Sequence, residues 1–250
     1  MFSPFQPAEK NTDYTVFFLD NKYIAAMKQI IVFLLTIAVF TTSCNNTKKS
    51  EPEVITEKAA KADIIKGKDL FATCTACHGN NAQGMQAMNA PNLVAQDAWY
   101  LQRQLVNFKS GIRGTHADDT YGAQMAPMAQ TLANEQAITD VVAYIKTLSS
   151  TANEQIITGD TVKGEDYYNM ACGSCHGTKA AGNETLNSPK LTGINDWYLH
   201  RQVLNFKKGI RGSHANDTFG AQMKQIAGTT EEGQMLNDII AYIQSVEELQ

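Results

Sequence analysis

Polar and apolar positions divide the 250-residue chain into three regimes. One unbroken apolar run, Ile30 to Phe40, has eleven residues, well short of the roughly 20 that a bilayer-crossing helix requires. Asn45 to Ala62 is polar and charged with no apolar period, the pattern of a flexible tether. From Ile64 onward the spacing predicts helices over Ile64 to Cys74 and Glu165 to Cys172, then over Asp97 to Lys109 and Asp196 to Lys207. A third in each half ends at Leu148 or near Glu247. In the second helix Leu101, Leu105 and Phe108 fall on one face and Gly111 supplies the stop. No alternating run suggests a substantial sheet, so the fold class is all-α.

The helical region is an internal repeat. Cys74, Cys77, His78, Pro91, Trp99, Arg103, Phe108, Arg113, His116, Met125 and Tyr144 recur 98 positions later as Cys172, Cys175, His176, Pro189, Trp197, Arg201, Phe206, Arg211, His214, Met223 and Tyr242. Two copies of this length are each a domain; solenoid units are shorter and more numerous. The predicted organisation is a leader over 1–44, a tether over 45–62, domain one over 63–149, a Ser/Thr/Asn/Gly linker over 150–162 and domain two over 163–250.

Charge and targeting narrow the partners. A formal charge of -4 and a pI near 5.7 lack the basic surface that phosphate backbones demand, which excludes nucleic acid. Met27-Lys28, the short apolar run and Thr41-Thr42-Ser43-Cys44 form a secretory signal. The cysteine at the cut site resembles the lipobox of bacterial lipoproteins, although Thr41 stands where Leu is usual. That resemblance implies lipidation of Cys44, export, and a membrane reached through a lipid anchor on the periplasmic side. Acidic Glu9, Asp13 and Asp20 fit poorly in a signal peptide, so translation is expected to begin at Met27.

Apart from Cys44, the cysteines occur only as Cys74-Thr-Ala-Cys77-His78 and Cys172-Gly-Ser-Cys175-His176. This is the attachment signature of c-type haem: thiols one turn apart reach two vinyl groups, and the adjacent His meets the iron. Zinc ribbons place their pairs about 15 to 20 residues apart, not 98. A thioredoxin-like pair needs a βαβ setting, and structural disulfides leave the two histidines unexplained. Two haem c groups are expected, each supplying much of the core that about 85 residues cannot build alone.

The opposite face of each iron takes methionine or histidine. Of Met85, Met88, Met125 and Met128, only Met125 has a repeat partner able to bind iron, Met223; the others face Asn183, Leu186 and Ile226. The rival is His116 with His214, nine residues before each Met. Met125 and Met223 are expected on a loop ahead of the final helix.

From Ile64 to Val246 the chain resembles class I cytochromes c of the two-domain, di-haem bacterial type. The resemblance implies three or more helices around each haem, and Pro91 and Pro189 carbonyls accepting from His78 and His176. It implies His/Met ligation through Met125 and Met223, with Lys224 departing from Ala126-Pro127 after the second Met. Arg113 and Arg211, in Gly-Ile-Arg-Gly, fit haem propionates or a solvated surface. Trp99, Tyr100, Trp197 and Tyr198 fit haem contact or core packing equally. Arg103, Lys109, Lys207 and Lys208 form either a docking rim or a solvated face. The implied function is one-electron transfer, with no substrate of its own, between a quinol-oxidising donor and a membrane oxidase or reductase. A di-haem peroxidase or thiosulfate-oxidising enzyme, or a dehydrogenase subunit, is the alternative.

Overall fold

The computed structural model describes residues 61–150 and 154–248. The leader, Cys44 and nearly all of the 45–62 tether lie outside the described residues. In the first half the helices are α1 (Ile64–Phe71), α2 (Thr75–His78), α3 (Ala98–Lys109), α4 (Thr120–Gln130) and α5 (Glu135–Ile145). The second half repeats them as α6 (Thr161–Ala171), α7 (Gly173–His176), α8 (Asp196–Lys207), α9 (Thr218–Thr229) and α10 (Gln234–Glu248). Strand pairing among the described residues is limited to two isolated bridges, Met85 with Ala90 and Asn183 with Ser188.

Each half is built on the crossing of its first and last helices. Asp63 caps α1 by accepting from the Ile65 and Lys66 N–H groups, and Asp160 caps α6 through Val162 and Lys163. Each cap's own N–H donates to a buried carboxylate on the last helix, Asp140 at 2.9 Å or Asp238 at 2.8 Å. At the crossing a Cβ on Gly67 or Gly164 would lie 2.0 Å from the Asp140 or Asp238 carbonyl oxygen, so only glycine lets the backbones meet. Phe71 packs on Tyr144 and Tyr168 on Tyr242, with centroids 5.6 and 5.3 Å apart. Leu101, Val141, Val142 and Ile145 complete the first core; Leu199, Leu236, Ile240 and Ile243 complete the second.

Those pairs expose a detail of register. Asp63/Asp160, Gly67/Gly164 and Phe71/Tyr168 are 97 apart, whereas the cysteines are 98 apart. The second half therefore carries one extra residue between its aromatic and its first cysteine. The expected continuous helix to Cys74 instead ends at Phe71 and restarts as α2, and the helix expected from Glu165 begins at Thr161.

Helices α4 and α9 go beyond the three helices that the apolar pattern predicts in each half, and Met125 and Met223 lie within them, not on a loop. Their caps, Asp119 and Asp217, accept from Gly122 and Gly220 N–H at 3.0 Å. Glycine and the internal Pro127 hide the pattern, since both lower helix propensity. The capping Asp is the signal that marks these helices in the sequence.

The two halves fall in a single packed unit and meet through reciprocal contacts. Arg103 donates to Asn187 Oδ1, while Arg201 donates to Asn89 Oδ1 at 2.8 Å and to its carbonyl at 2.9 Å. Arg103 also stacks on Trp99 and Phe219, and Arg201 on Trp197 and Tyr121. Each half offers the other the same patch, the arrangement of a two-fold, isologous interface.

Candidate functional site

Both Cys-x-x-Cys-His segments fold as one tight turn. Cys74 opens α2, the His78 N–H returns to the Cys74 carbonyl at 2.9 Å, and Gly79, at φ 79°, ends the helix. Cys172 and His176 repeat the bond at 3.0 Å. No disulfide joins these four cysteines; Cys77 and Cys175 are exposed and their partners half-buried. Burial, with the neighbouring thiol of each pair adding to it, pushes Cys74 and Cys172 up to about 11. A redox dithiol needs the opposite shift. Among the described residues no cluster of His, Cys, Asp and Glu is arranged to hold a metal ion.

The two histidines are buried and held neutral. His78 and His176 are each 7 % exposed. Their Nδ1 atoms lie 2.9 Å from the Pro91 carbonyl and 2.8 Å from that of Pro189. A carbonyl can only accept, so Nδ1 carries the proton and Nε2 keeps its lone pair. Burial holds both imidazoles below the usual 6.5, against the opposing pull of that bond. The proline loop is fixed by the Met85–Ala90 bridge and by Asn89 in the left-handed region at φ 55°; Asn183–Ser188 and Asn187, at φ 58°, do the same in the second half.

In the first half Cys74, Cys77 and His78 line a cavity that Met125 also lines, with Leu101, Leu105 and Phe108 among its apolar walls. Met88 and Met128 border it as well, both substantially exposed. The donor set of two thiols, an imidazole and a thioether suits a covalently attached iron porphyrin. The polar corner suits its carboxylates: the buried Nε atoms of Arg113, Arg201 and Arg211 have no hydrogen-bond partner, and Arg113 and Arg201 line the cavity. Such a group would satisfy donors that are otherwise costly to bury.

Other expected site residues are placed differently. Arg113 spends its Nη atoms on Gln104 at 2.8 Å and, across the interface, on Tyr198 at 2.9 Å and Gln202 at 3.1 Å. Arg211 reciprocates with Gln202, Tyr100 and Gln104. The Nη atoms of both arginines thus form an interdomain network, while their buried Nε atoms have no hydrogen-bond partner. Tyr100 and Tyr198 serve that network; the paired arginines hold the Tyr198 phenol below its usual value despite burial. His116 and His214 are exposed, and His116 is not among the residues lining the first half's cavity; their Nδ1 atoms accept from Asp118 and Asn216 N–H at 3.1 Å. Lys109 and Lys207 tie back to the Leu132 and Thr230 carbonyls, each at 2.7 Å. Arg103 lies in the interface, and of the expected rim Lys208 alone is exposed. Sequence reasoning passes over Asn89/Asn187 and Gln104/Gln202, although both pairs are identical at the 98-residue spacing.

A sequence model of the family described as Cytochrome c matches residues 64–149 and 161–247. Cytochrome c4 of Azotobacter vinelandii is 29% identical over 181 residues, 67% of this chain and 82% of that protein. A protein of Stutzerimonas stutzeri named "Thiosulfate dehydrogenase electron acceptor" is 30% identical over 157 residues, 59% of this chain and 68% of its own length. The crystal structure of reduced recombinant cytochrome c4 from Pseudomonas stutzeri superposes with a TM-score of 0.58 at 25% identity, covering 74% of this chain and 98% of that one. The repeated attachment turns, the paired proline loops and these matches converge: the chain belongs to the cytochrome c family, as a tandem di-haem member that carries electrons.

Proposed function

We propose that this chain is an exported, lipid-anchored shuttle that passes single electrons to a terminal oxidase or reductase and catalyses no reaction of its own. His78 and Met125 would hold the iron of the first haem, and His176 and Met223 that of the second. Cys74, Cys77, Cys172 and Cys175 hold the porphyrins covalently, and Cys44 carries the lipid. Haem supplies a one-electron couple, and everything else is the work of the chain. Neutral, buried imidazoles donate Nε2 while the Pro91 and Pro189 carbonyls fix the ring plane. The thioethers, soft ligands, favour reduced iron and raise the potential. With an imidazole and a thioether both bound to the iron, no coordination site would remain for a substrate, which favours a carrier over a peroxidase.

The bond from His78 Nδ1 to the Pro91 carbonyl, in a cavity that Met125 also lines, is the observation that carries this reading. That the Stutzerimonas stutzeri relative is named as an electron acceptor agrees with a role downstream of an oxidising enzyme. The test is spectroscopic. The purified holoprotein is expected to contain two haems c per chain and to show the far-red Met–iron charge-transfer band when oxidised. Met125→Ala and Met223→Ala should each remove about half of the band. Wild-type protein without that band, or with rapid peroxide or thiosulfate turnover, would overturn the assignment.

A further inference from the structure

One peptide group in each half is hydrogen-bonded at both ends, and its two bonds lead into different halves. The Pro91 carbonyl accepts from His78 Nδ1 at 2.9 Å. The N–H of the same peptide, on Asn92, donates to Asn195 Oδ1 of the second half at 2.7 Å. The Pro189 carbonyl accepts from His176 Nδ1 at 2.8 Å, and the N–H of that peptide, on Lys190, donates to Asp97 Oδ2 of the first half at 3.2 Å. Each half therefore reaches the other's proximal histidine through a single amide.

The reaching residues are diverted from another task. Asp97 and Asn195 are the N-cap residues of α3 and α8, and neither side chain caps its own helix. Asp and Asn are among the best N-caps because they satisfy the first free N–H groups. Here both forgo that bond for one across the interface. The positions are equivalent by the repeat, but their chemistry is not: one is a carboxylate, the other a neutral amide.

We infer that Asp97 and Asn195 are positioning residues that set the two haem potentials apart, each through the peptide behind the other half's axial histidine. The inference rests on the reading of His78 and His176 as iron ligands. A carboxylate accepting from an amide N–H makes a charge-assisted bond, roughly twice as strong as a neutral one. It polarises the amide, and successive bonds in a chain reinforce one another. The Pro189 oxygen becomes a better acceptor, His176 a more electron-rich ligand, and oxidised iron is stabilised. Asp97 thus lowers the potential of the second haem, while Asn195 leaves the first higher. Opposing this, Asp97 is only half-buried, and Lys146 and Lys190 are the cations acting in its neighbourhood. The Asn195 bond is the shorter and is fully buried. Charge wins over length because the relay transmits polarisation, which an uncharged amide supplies weakly.

The experiment is a redox titration of the full-length holoprotein, with each haem followed by its own hyperfine-shifted methyl resonances and the two His Nδ1 protons observed alongside. Asp97→Asn should raise the second haem's potential and move the His176 Nδ1 proton, with the first haem nearly unchanged. Asn195→Asp should lower the first haem's potential and move the His78 proton, and Asp97→Glu should stay close to wild type. Three results would overturn the inference: equal shifts of both haems in Asp97→Asn, a larger shift of the first haem in that variant, or no shift in either Asp97→Asn or Asn195→Asp. Haem content and the Met–iron band of the unmodified protein report separately on the ligand reading, so the two failures are distinguishable.

Discussion

The two halves keep the same attachment turn, proline loop and interface, yet differ around them. Asp196 opens α8 and is 1 % exposed, its Oδ2 accepting from the Ile156 and Ile157 N–H groups, each at 2.6 Å. Its counterpart Ala98 is exposed and has no carboxylate to offer. Lys146, just past the last helix of the first half, donates to the Val94 and Gln96 carbonyls at 2.6 and 2.7 Å; Gln244 takes the Ile194 carbonyl at 2.9 Å in the second. The first half borders its cavity with exposed Met88 and Met128 where the second has Leu186 and Ile226. Geometry around the two histidines is held constant, whereas the periphery differs, the second half by tying Ile156 and Ile157 to Asp196.

The largest expected effect breaks what the halves share. Gly67→Ala and Gly164→Ala would each gain about 0.5–1 kcal/mol of helix preference but drive a methyl into a backbone carbonyl 2.0 Å away. Because the obstacle is rigid backbone, overpacking costs about 3 kcal/mol or more and outweighs that gain. Chemical denaturation should show both variants destabilised to a similar extent, because the crossing is the same in each. Equal stability to wild type would mean that the helices can part without cost.

A smaller effect separates the halves. Asp196→Ala strands the Ile156, Ile157 and Trp197 N–H groups, a loss at the lower end of about 1–3 kcal/mol since Ile156 lies close enough to water for partial recovery. Hydrogen exchange should accelerate at Ile156 and Ile157 and in the second half, with the first half unaffected. Uniform acceleration would deny that local tie.

The smallest concerns pH. Burial holds Lys146 below its usual 10.5, with Asp97 opposing the shift. Between that lowered value and 10.5 the unfolded chain binds the proton that the native chain has released, so stability rises with pH across this window. Lys146→Gln, the second half's solution, should flatten the rise in urea midpoints measured from mildly alkaline pH to 10.5. An unchanged slope would place the titration elsewhere.

Much of the site can be read from residues alone because covalent attachment demands contiguous chemistry: Cys74, Cys77 and His78 must lie within one turn. The third and fifth helices of each half are legible from their apolar faces. Helices α4 and α9 are not, because Gly122, Pro127 and Gly220 blur the period and packing against α3 and α8 compensates. Arg113 suits an anion clamp on its local pattern, since nothing nearby in the chain reveals that Tyr198 and Gln202 lie beside it.

The repeat, the attachment turns and the helical class were determined by sequence, for each depends on spacings of a few residues or on one fixed offset. The interface was decided only in three dimensions. Asn89 with Arg201, Asp97 with Lys190 and Asn92 with Asn195 are about a hundred positions apart, and whether an Asp caps its own helix or reaches into the neighbouring half depends on which unsatisfied N–H the folded chain brings nearer.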